Sequence, residues 1–154
     1  MNEELKEAEE LLNYARLFLQ KGELEDAFQA AAEARDLFED LQDAFGNAEA
    51  RWVMGYIYYH NGQYKEALPI LASAQQQYAA TQNQLRQCLT LYLLALCHKG
   101  LGRPAKALYT LELALRRVEG ARDLKAGLLM SKEELNEKLN TLKRELEGES
   151  PLLV

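Results

Sequence analysis

A chain of 154 residues, 48% hydrophobic and 27% charged, can bury a sizeable core without a disulfide or metal and is too apolar to remain unfolded. Three prolines and nine glycines leave little material for linkers, so one ordered domain is expected over 1–148, followed by a tail at 149–154. Net charge is −6, but residues 1–50 hold 14 acidic and 4 basic side chains, residues 51–130 hold 4 and 10, and the remainder 6 and 4. An acidic chain argues against nucleic acid as a partner, while the asymmetry can bring unlike ends of two copies together.

The opening MNEELKEAEE is acidic and lacks an apolar stretch. It therefore reads as neither a secretory signal nor a transit peptide. The longest apolar-rich run, Leu89 to Cys97, is too short to span a bilayer. A cytoplasmic protein without a membrane partner is the expectation. Cys88 and Cys97 fall on opposite sides of a helix at about 100° per residue, which argues against a disulfide between them.

The first predicted helix carries Leu11, Tyr14, Ala15 and Phe18 at 3.6-residue spacing, and the stretch KGELEDAF ends it at Gly22. A second stripe follows through Phe28, Ala31, Ala34 and Phe38. The next pair has Met54, Gly55 and Tyr58, then NGQYKEAL with Gly62, then Leu68, Leu71, Ala74 and Tyr78. Pro69 lies inside that second helix, where it removes a backbone hydrogen bond and is expected to bend it. The third pair has Leu91, Leu94, Ala95 and His98, then LGRPAKAL with Gly102, then Leu108, Leu111, Ala114 and Val118. Each glycine suits the left-handed conformation that ends a helix, and Pro104 suits a first helical turn. Last, Ser131-x-x-Glu134 reads as a capping box before Leu135, Leu139, Leu142 and Leu146. That helix is read as a solvating cap for the open end of the stack; a short coiled coil is the sharper alternative.

Glycines 22, 62 and 102 are forty residues apart, as are alanines 27, 67 and 107 and alanines 34, 74 and 114. Met54-Gly55-x-x-Tyr58, Gly62-x-Tyr64-x-x-Ala67-x-x-x-Leu71 and Ala74 resemble the tetratricopeptide repeat. The resemblance implies an all-α fold, an α-α superhelix of three helix hairpins at about 8–46, 47–86 and 87–126, with a capping helix at about 131–147. The usual period is about 34 residues, so the extra six are expected to lengthen both helices of each unit. Arg51 and His98 stand where a large apolar residue is usual.

On the first helices a second stripe, Trp52, Tyr56 and Tyr59, points about a third of a turn from the core face. The resemblance places that side on the concave surface. The forty-residue register aligns Leu12, Trp52 and Tyr92; Asn13, Val53 and Leu93; Arg16, Tyr56 and Leu96; and Leu19, Tyr59 and Lys99. These twelve are the expected peptide-binding groove. The alternative is that their rings merely pack sideways on neighbouring helices. Proteins of this family that clamp a C-terminal carboxylate use lysine, asparagine and arginine at such positions. Here only Arg16 and Asn13 are polar among those compared, so an apolar peptide or amphipathic helix suits the groove better.

No nucleotide-binding glycine loop, nucleophile elbow or zinc pattern is present. His98 is expected as a hydrogen-bonded packing residue and His60 at a helix end. Arg116, Arg117, Arg122 and Lys125 read as a solvated basic surface. No enzyme activity, cofactor or metal is expected. The resemblance implies a protein-interaction module, adaptor or chaperone-like; the alternative is a self-assembling structural protein joined through its acidic first and basic later units.

Overall fold

The computed structural model of the chain describes residues 2–121 and 130–149. These residues form seven α-helices and no strand: α1 (Asn2–Lys21), α2 (Leu24–Asp40), α3 (Ala44–His60), α4 (Tyr64–Ala80), α5 (Gln84–Gly100), α6 (Pro104–Val118) and α7 (Lys132–Glu149). The all-helical expectation holds, and the helices pair into antiparallel hairpins of an α-α superhelix. Helices α2, α4 and α6 begin at 24, 64 and 104, and α3 and α5 at 44 and 84. The spacing of the glycines is thus the spacing of helix pairs. Helices α2 to α5 each run 17 residues, so the lengthening is shared by both members of a pair.

Consecutive helices pack on one another, and α1, α3, α5 and α7 also meet in succession, whereas α2, α4 and α6 form no comparable pairs. The odd-numbered helices therefore lie closer together and form the concave layer; the even-numbered ones form the convex layer. Small residues permit the close packing. Ala27, Ala67 and Ala107 are fully enclosed, as are Ala34, Ala74 and Ala114. At Gly55 an added Cβ would stand 2.5 Å from a methyl carbon of Leu71, so α3 and α4 touch there only because the side chain is a hydrogen.

Five turns share one hydrogen-bond pattern. The amide of Gly62 donates to the Tyr59 carbonyl and that of Gln63 to the Tyr58 carbonyl, closing the helix with the paired bonds of a Schellman motif. The same pattern recurs at Gly22 and Gly102 and also at Gln42 and Gln82. All five residues have positive φ, from 57° at Gln42 to 79° at Gly22. Sequence reading found the glycines and missed the glutamines, because glutamine carries no signal for the left-handed region.

Helix α4 continues through Pro69 from Tyr64 to Ala80. Pro69 is the sixth residue of the helix, past its first turn, and its ring is exposed. Helix α7 opens with the capping box: the Glu134 amide donates to Ser131 Oγ at 3.2 Å. Leu135, Leu139, Leu142 and Leu146 are buried along one side, packed on α6 and α5. The start of α7 lies 28 residues after that of α6, instead of the 20 that separate the starts from α2 to α6. Arg116 and Arg117 are exposed at the end of α6; Arg122, Lys125 and the tail from Ser150 lie outside the described residues. No helix among the described residues is long and apolar enough to cross a membrane.

Candidate functional site on the concave face

Helix α3 lies between α1 and α5, and one of its stripes runs through Glu49, Trp52, Tyr56 and His60. Residues three and four apart on a helix share a face, and the rings stack accordingly. The Trp52 and Tyr56 centroids are 5.3 Å apart at 21°, and those of Tyr56 and His60 are 6.1 Å apart at 16°. Trp52 is only 9% exposed, Tyr56 is half-buried and His60 exposed. The ladder thus rises from floor to rim. The indole N–H of Trp52 is buried without an acceptor among the described residues.

At the foot of the ladder Glu49, 6% exposed, gathers donors from three other helices. Arg16 of α1 donates through Nη2 to Glu49 Oε2, and the Tyr78 hydroxyl of α4 donates to Oε1. The guanidinium of Arg86 on α5 brings Nε to 2.9 Å from Oε1 and lies over the Phe45 ring, 5.1 Å from its centroid. Burial first, and then the adjacent Glu49 charge and hydrogen bond, push the Tyr78 phenol well above its usual range. It therefore remains a donor at any ordinary pH. A buried carboxylate is costly unless paired and hydrogen-bonded, and here both conditions are met.

A cavity of about 510 Å³ opens beside this cluster. Leu19, Trp52, Val53, Tyr56 and Leu89 supply its apolar wall, and Arg16, Glu49 and Arg86 its charged wall. The same three charged residues border a second cavity of about 310 Å³, with Leu12 and Asn13, and so stand between the two. A third, of about 440 Å³, separates α5 from α7, where Tyr92 and Leu96 face Leu142, Glu137 and Glu145.

Nine of the twelve expected groove residues therefore line these cavities. Leu93 lines none of them and is buried in the core at 4% exposure; Val53 and Leu12, which do border a cavity, are buried as well. Tyr59 is half-buried with its ring 5.9 Å from that of Tyr64, and Lys99 pairs with Glu145 of α7 at 3.0 Å. Burial raises the phenol pKa of both Tyr59 and Tyr92, consistent with rings lying partly between helices. Sequence reasoning missed Glu49, Tyr78 and Arg86. Glu49 was within reach, one turn before Trp52 on the same stripe; Tyr78 and Arg86 come from other helices, and only packing brings them there.

Arg51 and His98, the two polar residues at positions where a large apolar one is usual, are held differently. Arg51 is held by the neighbouring polar network, its Nε donating to Asn47 Oδ1 at 2.7 Å, and Gln77 of α4 donates to the same oxygen at 2.8 Å. The Nδ1 of His98 is enclosed without a hydrogen-bond partner among the described residues. Burial, then the Arg103 and Lys106 charges, lower its pKa and favour the neutral ring.

Residues 46–119 match the model of the tetratricopeptide repeat family. Among solved structures, the apo form of RapI superposes with a TM-score of 0.80 at 14% identity, over 94% of this chain and 50% of that one. The chain thus spans half the length of RapI. A tpr-like protein, ct2138, from Chlorobium tepidum TLS superposes with a TM-score of 0.73 at 21% identity, over 94% of this chain and 96% of that one. Identities this low speak for the fold alone. No curated protein matches the sequence.

Proposed function

Because the chain is a tetratricopeptide-repeat protein, and this fold serves interaction between proteins, we propose that its concave face holds an apolar peptide or amphipathic helix of another protein, as an adaptor or chaperone-like module without enzymatic activity. The observation that carries this reading is the cavity of about 510 Å³ whose wall combines aromatic and aliphatic side chains with a few fixed charges. That is the usual make-up of a recognition pocket. An apolar side chain entering it meets Leu19, Val53 and Leu89, and Tyr56 supplies the accessible ring above the enclosed Trp52. A peptide carbonyl reaching the floor would give the indole N–H an acceptor.

The site is rigid before any partner arrives, since its residues sit on packed helices rather than loops, and the ordering cost of binding is correspondingly small. Tyrosine and tryptophan are frequent interface anchors, with truncations costing about 2 kcal/mol or more. Tyr56→Ala should therefore weaken capture of a native partner about thirtyfold, while Arg117→Ala, exposed near the end of α6, leaves it within about twofold. Pull-down followed by titration of the captured protein measures both. Trp52 is the single tryptophan, so its emission reports on the cavity and should change on binding. Equal retention by wild type and Tyr56→Ala would remove the groove as the binding site.

A further inference from the structure

The end of the superhelix opposite α7 has an apolar face that later units bury. On α3, Met54 and Ile57 are each 3% exposed, and on α5 Leu94 and Cys97 are 7% and 0% exposed. Their register mates on α1, Tyr14 and Leu17, are 55% and 45% exposed. The difference is one of position. Helix α2 covers α3 and α4 covers α5, whereas α1 meets α2 and α3 on its inner side and no described helix lies beyond it.

The chain itself shows what a covering helix contributes. Phe28 of α2 meets Tyr58 of α3 edge-on, with centroids 5.1 Å apart. Seven residues further along α2, Arg35 brings its guanidinium within 3.9 Å of the Met54 sulfur. Tyr58 and Met54 correspond in register to Phe18 and Tyr14 of α1. These two, with Leu11 and Ala30, line a surface slot of about 300 Å³ whose remaining wall includes Asp26 and Glu33. Helices α1 and α2 together hold 11 acidic and 4 basic side chains. An apolar slot with an acidic border selects an apolar helix with a basic border.

We propose that this end face docks a basic amphipathic helix of another protein, laid against α1 as α2 is laid against α3. A large apolar side chain of that helix packs on Phe18, and an arginine or lysine seven residues later lies over the Tyr14 ring, where its charge is favoured by the ring face and by Asp26 and Glu33. The site is separate from the concave groove and does not depend on it.

The test uses the whole chain and a labelled synthetic helix with leucines on one face, a phenylalanine and an arginine seven residues apart, and lysines elsewhere. Its counterpart has glutamates in place of the lysines. Fluorescence anisotropy should show the lysine helix binding at least about tenfold more tightly than the glutamate helix, the gap narrowing with salt. Tyr14→Ala and Leu17→Glu, both at exposed positions that leave folding intact, should each weaken the lysine helix about tenfold, and Tyr56→Ala should leave it unchanged. Equal binding of the two helices, indifference to Tyr14→Ala, or loss on Tyr56→Ala instead would overturn the assignment. So would sedimentation showing a dimer that Leu17→Glu dissociates, because the face would then be occupied by a second copy.

Discussion

Glu49 illustrates how much one residue can decide. The forty-residue register aligns it with Glu9 and Leu89, but only α3 lies between α1 and α5, and there Arg16 and Arg86 converge on the Glu49 carboxylate from the flanking helices. Removing the carboxylate leaves two guanidinium groups and the Tyr78 hydroxyl around a hole. Glu49→Ala should therefore lower stability by about 3–5 kcal/mol, the range for breaking a buried ion pair. Arg16→Met should cost only about 1 kcal/mol, because the Arg16 side chain is 34% exposed and water screens the pair. Urea unfolding of the two variants compares them directly; equal losses would show that the cluster is solvated rather than buried.

At the scale of the element, the five turns carry one geometry on two kinds of residue. Nothing lies within 4 Å of a Cβ added at Gly62, so Gly62→Ala is opposed only by its backbone, whose φ is 76°. It should cost about 1–2 kcal/mol. At Gln82, with φ of 60°, the strain is already present, and Gln82→Gly should stabilise by up to about 1 kcal/mol after the entropy of the unfolded chain is counted. Thermal melts of the two variants should move in opposite directions. If Gln82→Gly also lowers the midpoint, the glutamine side chain contributes more than its backbone costs.

The whole molecule shows its burial in its response to alkali. Burial pushes the Cys97 thiol up to about 12 and the Cys88 thiol to about 11, against 9.0 for a free thiol. The unfolded chain therefore loses these protons first. Folding is fully favoured below pH 9 and weakens as pH rises through the interval to about 12, since there the unfolded state binds fewer protons than the folded one. The raised Tyr78 phenol acts in the same direction. Urea midpoints measured from pH 8 upward should decline, and less steeply in Cys97→Ala. Labelling by a thiol reagent at neutral pH should await unfolding, since both thiols are buried. A flat profile with rapid labelling would mean that the core around α5 opens readily.

Periodicity alone determined that the chain is helical, that its helices pair every forty residues, where the glycine turns fall and, beyond α1, which stripe faces the core; on α1 the expected core residue Tyr14 is 55% exposed. These are local or nearest-neighbour properties, carried by spacing along a single helix. The same arithmetic separated Trp52, Tyr56 and Tyr92 from the core stripe. It could not say that Trp52 would be enclosed while Tyr56 stayed half-open, because that depends on how closely α1 and α5 approach α3. Nor could it find the convergence of Arg16, Tyr78 and Arg86 on Glu49, drawn from four helices and spanning 70 residues of chain. The exposed face of Tyr14 and Leu17 has the same origin: their spacing matches that of buried mates, and only the absence of a described helix beyond α1 leaves them open. Spacing along the chain set what each helix presents; the packing of one helix on another decided which of those surfaces remains in contact with water.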